Sequence, residues 1–263
     1  MNIGILSKRT HMLTGKLKQY LENQGHKVSI FTASNLCINR TLLNNDFYIL
    51  KSKSLFFLYA GYFLESNNIS VIPDTHTSFK HKNRIEAHFL LKKAGLLVPD
   101  LYLGTYDTFK TQFQPKDFPL ILKPIMGSGS RGVKLINSIN DLNHEGNKIL
   151  YLEKYVEGIH YTVYFIGDEI CTLIKPPLSN EHVDMDKINT PNNVKKLIKK
   201  WQTYLNGKVL FGHLDMVREH TSNKLYVIDP GSFPEFTNWK NPTSAVEKIC
   251  NLILKQGRKY HNY

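Results

Sequence analysis

The segment PLILKPIMGSGSRGVKLI, Pro119 to Ile136, sets Gly127, Gly129 and Gly132 in the spacing G-x-G-x-x-G. In a dinucleotide fold that fingerprint opens a helix after the first strand, because the helix N-terminus carries the pyrophosphate. Here it is followed by GVKLI, where Val133, Leu135 and Ile136 alternate against Lys134, so the glycines join two strands as a flap. Main-chain N–H groups in such a flap can lie over phosphates, and the missing side chains permit close approach. An ordinary glycine-rich hairpin accounts for the glycines equally well. The apolar run leading into the flap ends at Lys123, an ammonium that is costly to bury without an anionic partner. A phosphate would supply one.

Outward from this segment the chain changes texture twice. Before it, MNIGILS, a helix with Leu13, Leu17 and Leu21 at four-residue spacing, a stop at Gly25 and the strand KVSIF make a β-α-β start. DFYIL, SLFFLYAGYFLESN and ISVIP continue the pattern, which predicts a parallel sheet. Thr75 to Arg84 turns polar and basic, and the helix RIEAHFLLKKAG follows, capped by Gly95. Short strand-like runs then predict an antiparallel sheet, and YTVYFIGDEICTLIK reads as a hairpin turning at Gly167-Asp168. Pro176 to Asn193 has the composition of a mobile loop. The helix VKKLIKKWQTYL, the strand pair LFGHLDMVRE and KLYVIDPG, and the helix SAVEKICNLILKQ complete the chain. The expected class is α/β (α+β), with an N-terminal domain over 1–77 and sheet-containing subdomains over 78–153 and 154–263.

Composition bounds the partners. Lys and Arg number 34 against 22 Asp and Glu, and the net charge of +12 attracts phosphates, carboxylates or nucleic acid without choosing among them. No helix-turn-helix, zinc-finger or RNA-binding aromatic signature accompanies the charge, so no nucleic acid partner is expected. The longest apolar runs fall short of the roughly 20 residues needed to cross a membrane, no signal peptide is read before them, and a cytoplasmic location is expected. Cys37, Cys171 and Cys250 lack the spacing of a zinc site or disulfide framework and read as reduced core thiols.

Two acidic residues complement the flap. Asp215 in FGHLDMV and Asp229 in LYVIDPG each end a strand-like run, so pairing of the runs would bring both carboxylates together. Like charges held close need a cation between them, and hard oxygen ligands beside phosphate suit magnesium. Either residue alone also reads as a turn or cap. His213 could face substrate or a core carbonyl, and His182, Asp184 and Asp186 read as a solvated lid rather than a ligand cluster.

Taken in order, KHKNRIEAHFLLKKAGLLVP, FPLILKPIMGSGSRGV, YLEKYVEG, YFIGDEI, FGHLDMV and VIDPGSFPEF resemble the ATP-grasp enzymes over nearly the whole chain. The resemblance implies ATP between two sheets, with Lys82 and Lys123 on its phosphates and a flap of Gly127, Ser128, Gly129, Ser130 and Gly132 closing over them. Glu153 would stand near the adenine amino group, Lys154 and Val156 would meet the base through main-chain groups, and Tyr155 would flank it. Asp215 and Asp229 would carry magnesium, and Arg131 would reach the transferring phosphoryl group. The sequence departs from the family pattern at Gly231, where an asparagine usually coordinates, and at His160 and Thr162, where ligases commonly carry Asp and Arg. Water or Glu235 could replace the missing ligand; weakened activity or a non-catalytic nucleotide-binding module is the other consequence.

Segment order is most similar to ribosomal-protein glutamate ligases and related amino-acid ligases. That implies a small-molecule or peptide carboxylate substrate and an amine, joined through an acyl-phosphate, with no membrane partner and with homo-oligomer formation left open. SFPEF and LIKPPLSN instead resemble the inositol polyphosphate kinases, in which Lys175 would touch phosphates of an inositol phosphate.

Overall fold

The computed structural model describes residues 1–127, 131–144, 146–178, 185–239 and 241–261, the side chains of 242 and 258–261 excepted. Strand β1 (Asn2–Leu6) leads into α1 (Met12–Asn23), which buries Leu13, Leu17 and Leu21 on one face, and the chain returns as β2 (Lys27–Phe31). Gly25, at φ 80°, supplies the left-handed stop after α1. β3 (Phe47–Leu50), α2 (Leu55–Ser66) and β4 (Ser70–Ile72) complete a parallel sheet of order β2-β1-β3-β4. The chain therefore winds one way from β1 and the other way from β3, and a crevice opens where the order reverses.

Thr75 to Lys82, read above only as a change of texture, is a helix, α3 (Thr75–Lys82). The Asp74 carboxylate accepts from the Thr77 amide at 2.9 Å and so satisfies the first turn, which outweighs the weak apolar periodicity. Asn83 ends α3 and caps α4 (Arg84–Lys93), accepting from the Ile85 amide at 3.0 Å. Lys82 and Arg84 are thereby fixed at a sharp helix junction.

The second sheet contains β5 (Leu101–Gly104), β6 (Leu120–Lys123), β7 (Lys134–Ile136) and β8 (Leu150–Lys154), with α5 (Tyr106–Gln112) after β5. Its order is β5-β8-β6-β7, antiparallel throughout. β6 and β7 pair directly, so the glycine segment links two strands, and the described residues after it run into β7 and not into a helix.

The third sheet holds β9 (Gly158–Ile166), β10 (Glu169–Lys175), β11 (Asp186–Ile188), β12 (Phe211–Glu219) and β13 (Leu225–Gly231), in the order β11-β10-β9-β12-β13. β9 and β10 turn at Gly167, φ 55°, as the hairpin reading expects. β11 lies inside the stretch read as a loop, where a three-residue strand pairs along β10 without an apolar signal of its own. One face of this sheet packs Val163, Phe165, Leu214 and Met216 against α6 (Asn192–Tyr204). On the other face Tyr164, Ile166 and Phe211 join a core with Ile3, Ile5 and α7 (Pro242–His261). The final helix thus returns to α1 and the first sheet. Cys171 and Cys250 are buried, but Cys37 is exposed, which corrects its reading as a core thiol. Among the described residues no helix is long and apolar enough to cross a membrane.

Candidate active site

Asp215 on β12 and Asp229 on β13 are register partners, and Thr162 on β9 pairs with Asp215 from the other side. Partners in an antiparallel sheet project to the same face, so the three side chains share one surface. Immediately beyond this pair the register skips Ile228, a bulge that leaves its carbonyl free to accept from the Lys123 ammonium at 3.0 Å. Lys175, at the end of β10, donates to Asp215 Oδ2 at 2.6 Å, and Thr162 Oγ1 donates to Oδ1 at 2.8 Å. Burial alone would raise the Asp215 carboxyl, but Lys175, His213 and these hydrogen bonds hold it below the ordinary carboxylate range. Lys175 is thus placed as the counter-ion of Asp215.

The anionic partner that Lys123 requires comes from the chain itself. Its ammonium lies 2.5 Å from Glu153 Oε2, and Tyr151 donates its hydroxyl proton to the other carboxylate oxygen. All three side chains are buried. The phosphate inferred above from the burial of Lys123 is therefore unnecessary for its stability, and the Glu153 carboxylate turns to Lys123. The following residues form the bend between β8 and β9. Lys154 N–H donates to Asp100 O and Tyr155 N–H to Pro119 O, whereas the Val156 amide has no partner among the described residues.

One cavity collects these groups. Glu153, Lys154, Tyr155 and Val156 line it on one side, with Ile121, Val133, Val217 and Ile228 as apolar walls. Lys123, Lys175, Asp215 and Asp229 line the same cavity. An apolar slot beside an unpartnered amide, with mixed charge beyond, is the arrangement that a flat base bearing a polyphosphate requires. His160 also faces it; burial and then the nearby Lys175 lower its imidazole to about 4, so the ring is neutral at pH 7.

Asp229 lines a second cavity as well, together with Lys82, Gly127, Arg131 and His213. Lys82 makes no hydrogen bond or ion pair among the described residues, and burial followed by Arg84 and Arg131 lowers its ammonium from the ordinary value. Arg84 had no sequence signal. It is buried, its side chain donates to Pro124 O, its amide donates to Ile125 O at 2.9 Å, and a Cβ on Gly127 would meet its guanidinium at 2.4 Å. The base of the flap is thereby riveted to the α3–α4 junction. Gly132, at φ 74°, makes the return turn into β7. Ser128, Gly129 and Ser130 lie outside the described residues, as do His182 and Asp184 of the proposed lid; Asp186 lies on β11.

Magnesium commonly takes one or two carboxylates and completes its shell with phosphate oxygens and water. The opposed Asp215 and Asp229 fit that donor set, although no cluster of three or more His, Cys, Asp or Glu side chains occurs among the described residues. At position 231, opposite His213, a Cβ would stand 2.0 Å from His213 Cε1, so the imidazole occupies the room of a third ligand.

Residues 82–208 match the ATP-grasp domain family. A glutamate–LysW ligase, ArgX, of Sulfolobus acidocaldarius is 26% identical over 242 residues, covering 83% of this chain and 85% of the relative. Among solved structures, a RimK domain protein of Sphaerobacter thermophilus superposes with TM-score 0.79 at 12% identity, over 96% of this chain and 99% of that one. The D-alanine–D-alanine ligase of Bacillus anthracis complexed with ATP gives TM-score 0.72 at 17% identity, over 100% and 99% of the two chains. With the domain match lying on the very segment that supplies the flap and the bend after β8, residues 82–208 carry an ATP-grasp domain, and the chain as a whole is similar to these ligases.

Proposed function

We propose that the chain is an ATP-dependent carboxylate–amine ligase acting on an acidic amino acid or peptide through an acyl-phosphate. The observation that carries this reading is the single cleft in which the bend residues 153–156, Lys123, Asp215 and Asp229 meet, with Asp229 opening onto a second, basic cavity. The adenine would lie against Ile121, Val133 and Ile228 with Val156 N–H on its edge. The phosphates would extend toward Lys82 and Lys123, under the flap that starts at Gly127. Magnesium, when bound, neutralises phosphate charge; Asp215 and Asp229 would hold it, and Lys175 keeps Asp215 ionised in its absence.

An acceptor carboxylate oxygen takes the γ-phosphoryl group as ADP departs, and an amine then displaces inorganic phosphate from the acyl carbon to form the amide. No covalent nucleophile on the protein is needed, because positioning and charge neutralisation carry such transfers. Arg131 lines the second cavity with Asp229, which supports a role for it in meeting the charge on the transferring group. The relatedness to a protein named as a glutamate–LysW ligase supports an acidic acceptor. The nucleotide-binding halves are the segments 78–153 and 154–263, with 1–77 contributing the acceptor side.

The test is ADP release with panels of carboxylates and amines, with and without magnesium. Release that needs both an acid and an amine supports the ligase. Release driven by inositol phosphates instead would identify a kinase, and nucleotide binding without release would identify a binding module.

A further inference from the structure

The second cavity extends away from Asp229 to the switch point of the parallel sheet. Its far wall is formed by the loop after β1, with Ser7, Lys8 and His11, and by the loop after β3, with Lys51 to Ser54. Ligands in open α/β sheets sit where two such loops diverge. The charge there is lopsided. Lys8, Lys51, Lys53, Lys82 and Arg131 face only Asp229 and Glu235 among the described lining residues, and Glu235 is paired with Lys51 at 2.7 Å. Both flanking helices start at this wall: α1 after His11 and α2 after Ser54, neither with an acidic residue in its first turn. Their positive ends add to the potential.

An independent feature points to a ligand. His81 lines the cavity, is 4% exposed, and neither of its ring nitrogens has a hydrogen-bond partner among the described residues. Its ring is stacked on Trp201, with centroids 5.5 Å apart, so its orientation is fixed. A buried imidazole without a partner is a group whose hydrogen bond remains to be made.

We propose that this crevice binds the second anionic group, a carboxylate or a phosphate, of an acceptor whose first carboxylate lies beside Asp229. The assignment rests on the ligase reading for the role of the first carboxylate, and on the crevice itself for the second. Lys8 and Lys53 hold the anion, and His81 hydrogen-bonds to it. Neutral side chains are rejected because they would leave the buried His81 ring without a partner and the excess positive charge of the crevice unanswered.

Calorimetric titration of the full chain, with a non-hydrolysable ATP analogue present, tests this with two matched pairs: L-glutamate against L-glutamine, and O-phospho-L-serine against L-serine. The expected result is binding about tenfold tighter for the doubly anionic member of one pair, and the pair that responds tells carboxylate from phosphate. Lys8→Gln and Lys53→Gln should each weaken that member about fivefold or more, with analogue affinity unchanged. His81→Phe, which keeps a ring on Trp201, should lose part of the preference. On the unaltered chain, raising salt to about 0.5 M should shrink the preference, reading the same electrostatics without a substitution. Equal affinities within both pairs, no binding of any member, or a preference that survives the lysine substitutions would overturn the assignment. ADP release with singly charged acids alone would sink the crevice and spare the ligase. Selective anion binding without ADP release would do the reverse.

Discussion

His213 and Gly231 face each other across β12 and β13, and the imidazole fills the space that a side chain at 231 would enter. The ring also packs near Tyr164, with centroids 5.9 Å apart, so an asparagine at 231 has to displace it. Gly231→Asn by itself therefore does not simply restore a metal ligand. It should lower stability by roughly 1–3 kcal/mol through overpacking, read as a lower urea midpoint at unchanged slope. His213→Ala combined with Gly231→Asn should recover most of that loss, and only the double variant should gain magnesium affinity in a titration of turnover. Additive effects would show that the two positions do not compete for one space.

Lys123 and Glu153 are a buried pair, so removing one partner strands the other. Lys123→Ala should cost about 3–5 kcal/mol, and its loss of nucleotide binding would be mixed with unfolding. Lys123→Met combined with Glu153→Gln removes both charges and should regain much of the stability while nucleotide binding stays weak. Denaturant melts alongside fluorescent-nucleotide titrations separate the two effects. Full nucleotide affinity in a folded double variant would take Lys123 away from the phosphates.

Asp229 is the cleaner probe of metal chemistry, because Asp215 is tied to Lys175 and Thr162 whereas Asp229 has no ion pair among the described residues. Asp229→Asn should reduce turnover by about 100-fold or more and raise the magnesium requirement, with ATP affinity changed only slightly, since the metal matters most as charge moves. Unchanged turnover would remove Asp229 from the site.

The parts legible in the sequence are those written in periodicity and turn chemistry. The alternation after Gly132 predicts a strand, and β6–β7 pairing follows it; the two runs holding Asp215 and Asp229 predict a pair, and the register sets those residues opposite each other, although Asp215 lies in the middle of β12 and not at its end. What was illegible depends on contacts between distant segments. Arg84 reads as an ordinary helix-start residue until it reaches Pro124. The sequence offers Lys123 no nearby anion, because Glu153, thirty residues on, becomes its neighbour only when β6 pairs with β8. The basic crevice joins loops more than forty residues apart with a helix end, and His81 lies in a stretch whose helix depends on the Asp74 cap rather than on a pattern of apolar residues.

His81 also makes stability sensitive to acid. Burial, followed by the charges of Lys53 and His213, pushes its imidazole down from 6.5 to about 3. Between those values the unfolded chain binds a proton that the folded chain refuses, so stability is intact above pH 6.5 and is lost as pH falls toward 3. At about 1.4 kcal/mol per unit, this one ring destabilises the fold by roughly 2 kcal/mol at pH 5. His81→Phe cannot take up the proton, so its melts should fall less steeply between pH 6.5 and 4 than those of the unaltered chain. Parallel pH profiles for the two proteins would mean that the ring is protonated in the fold, and that the crevice already supplies it with a partner.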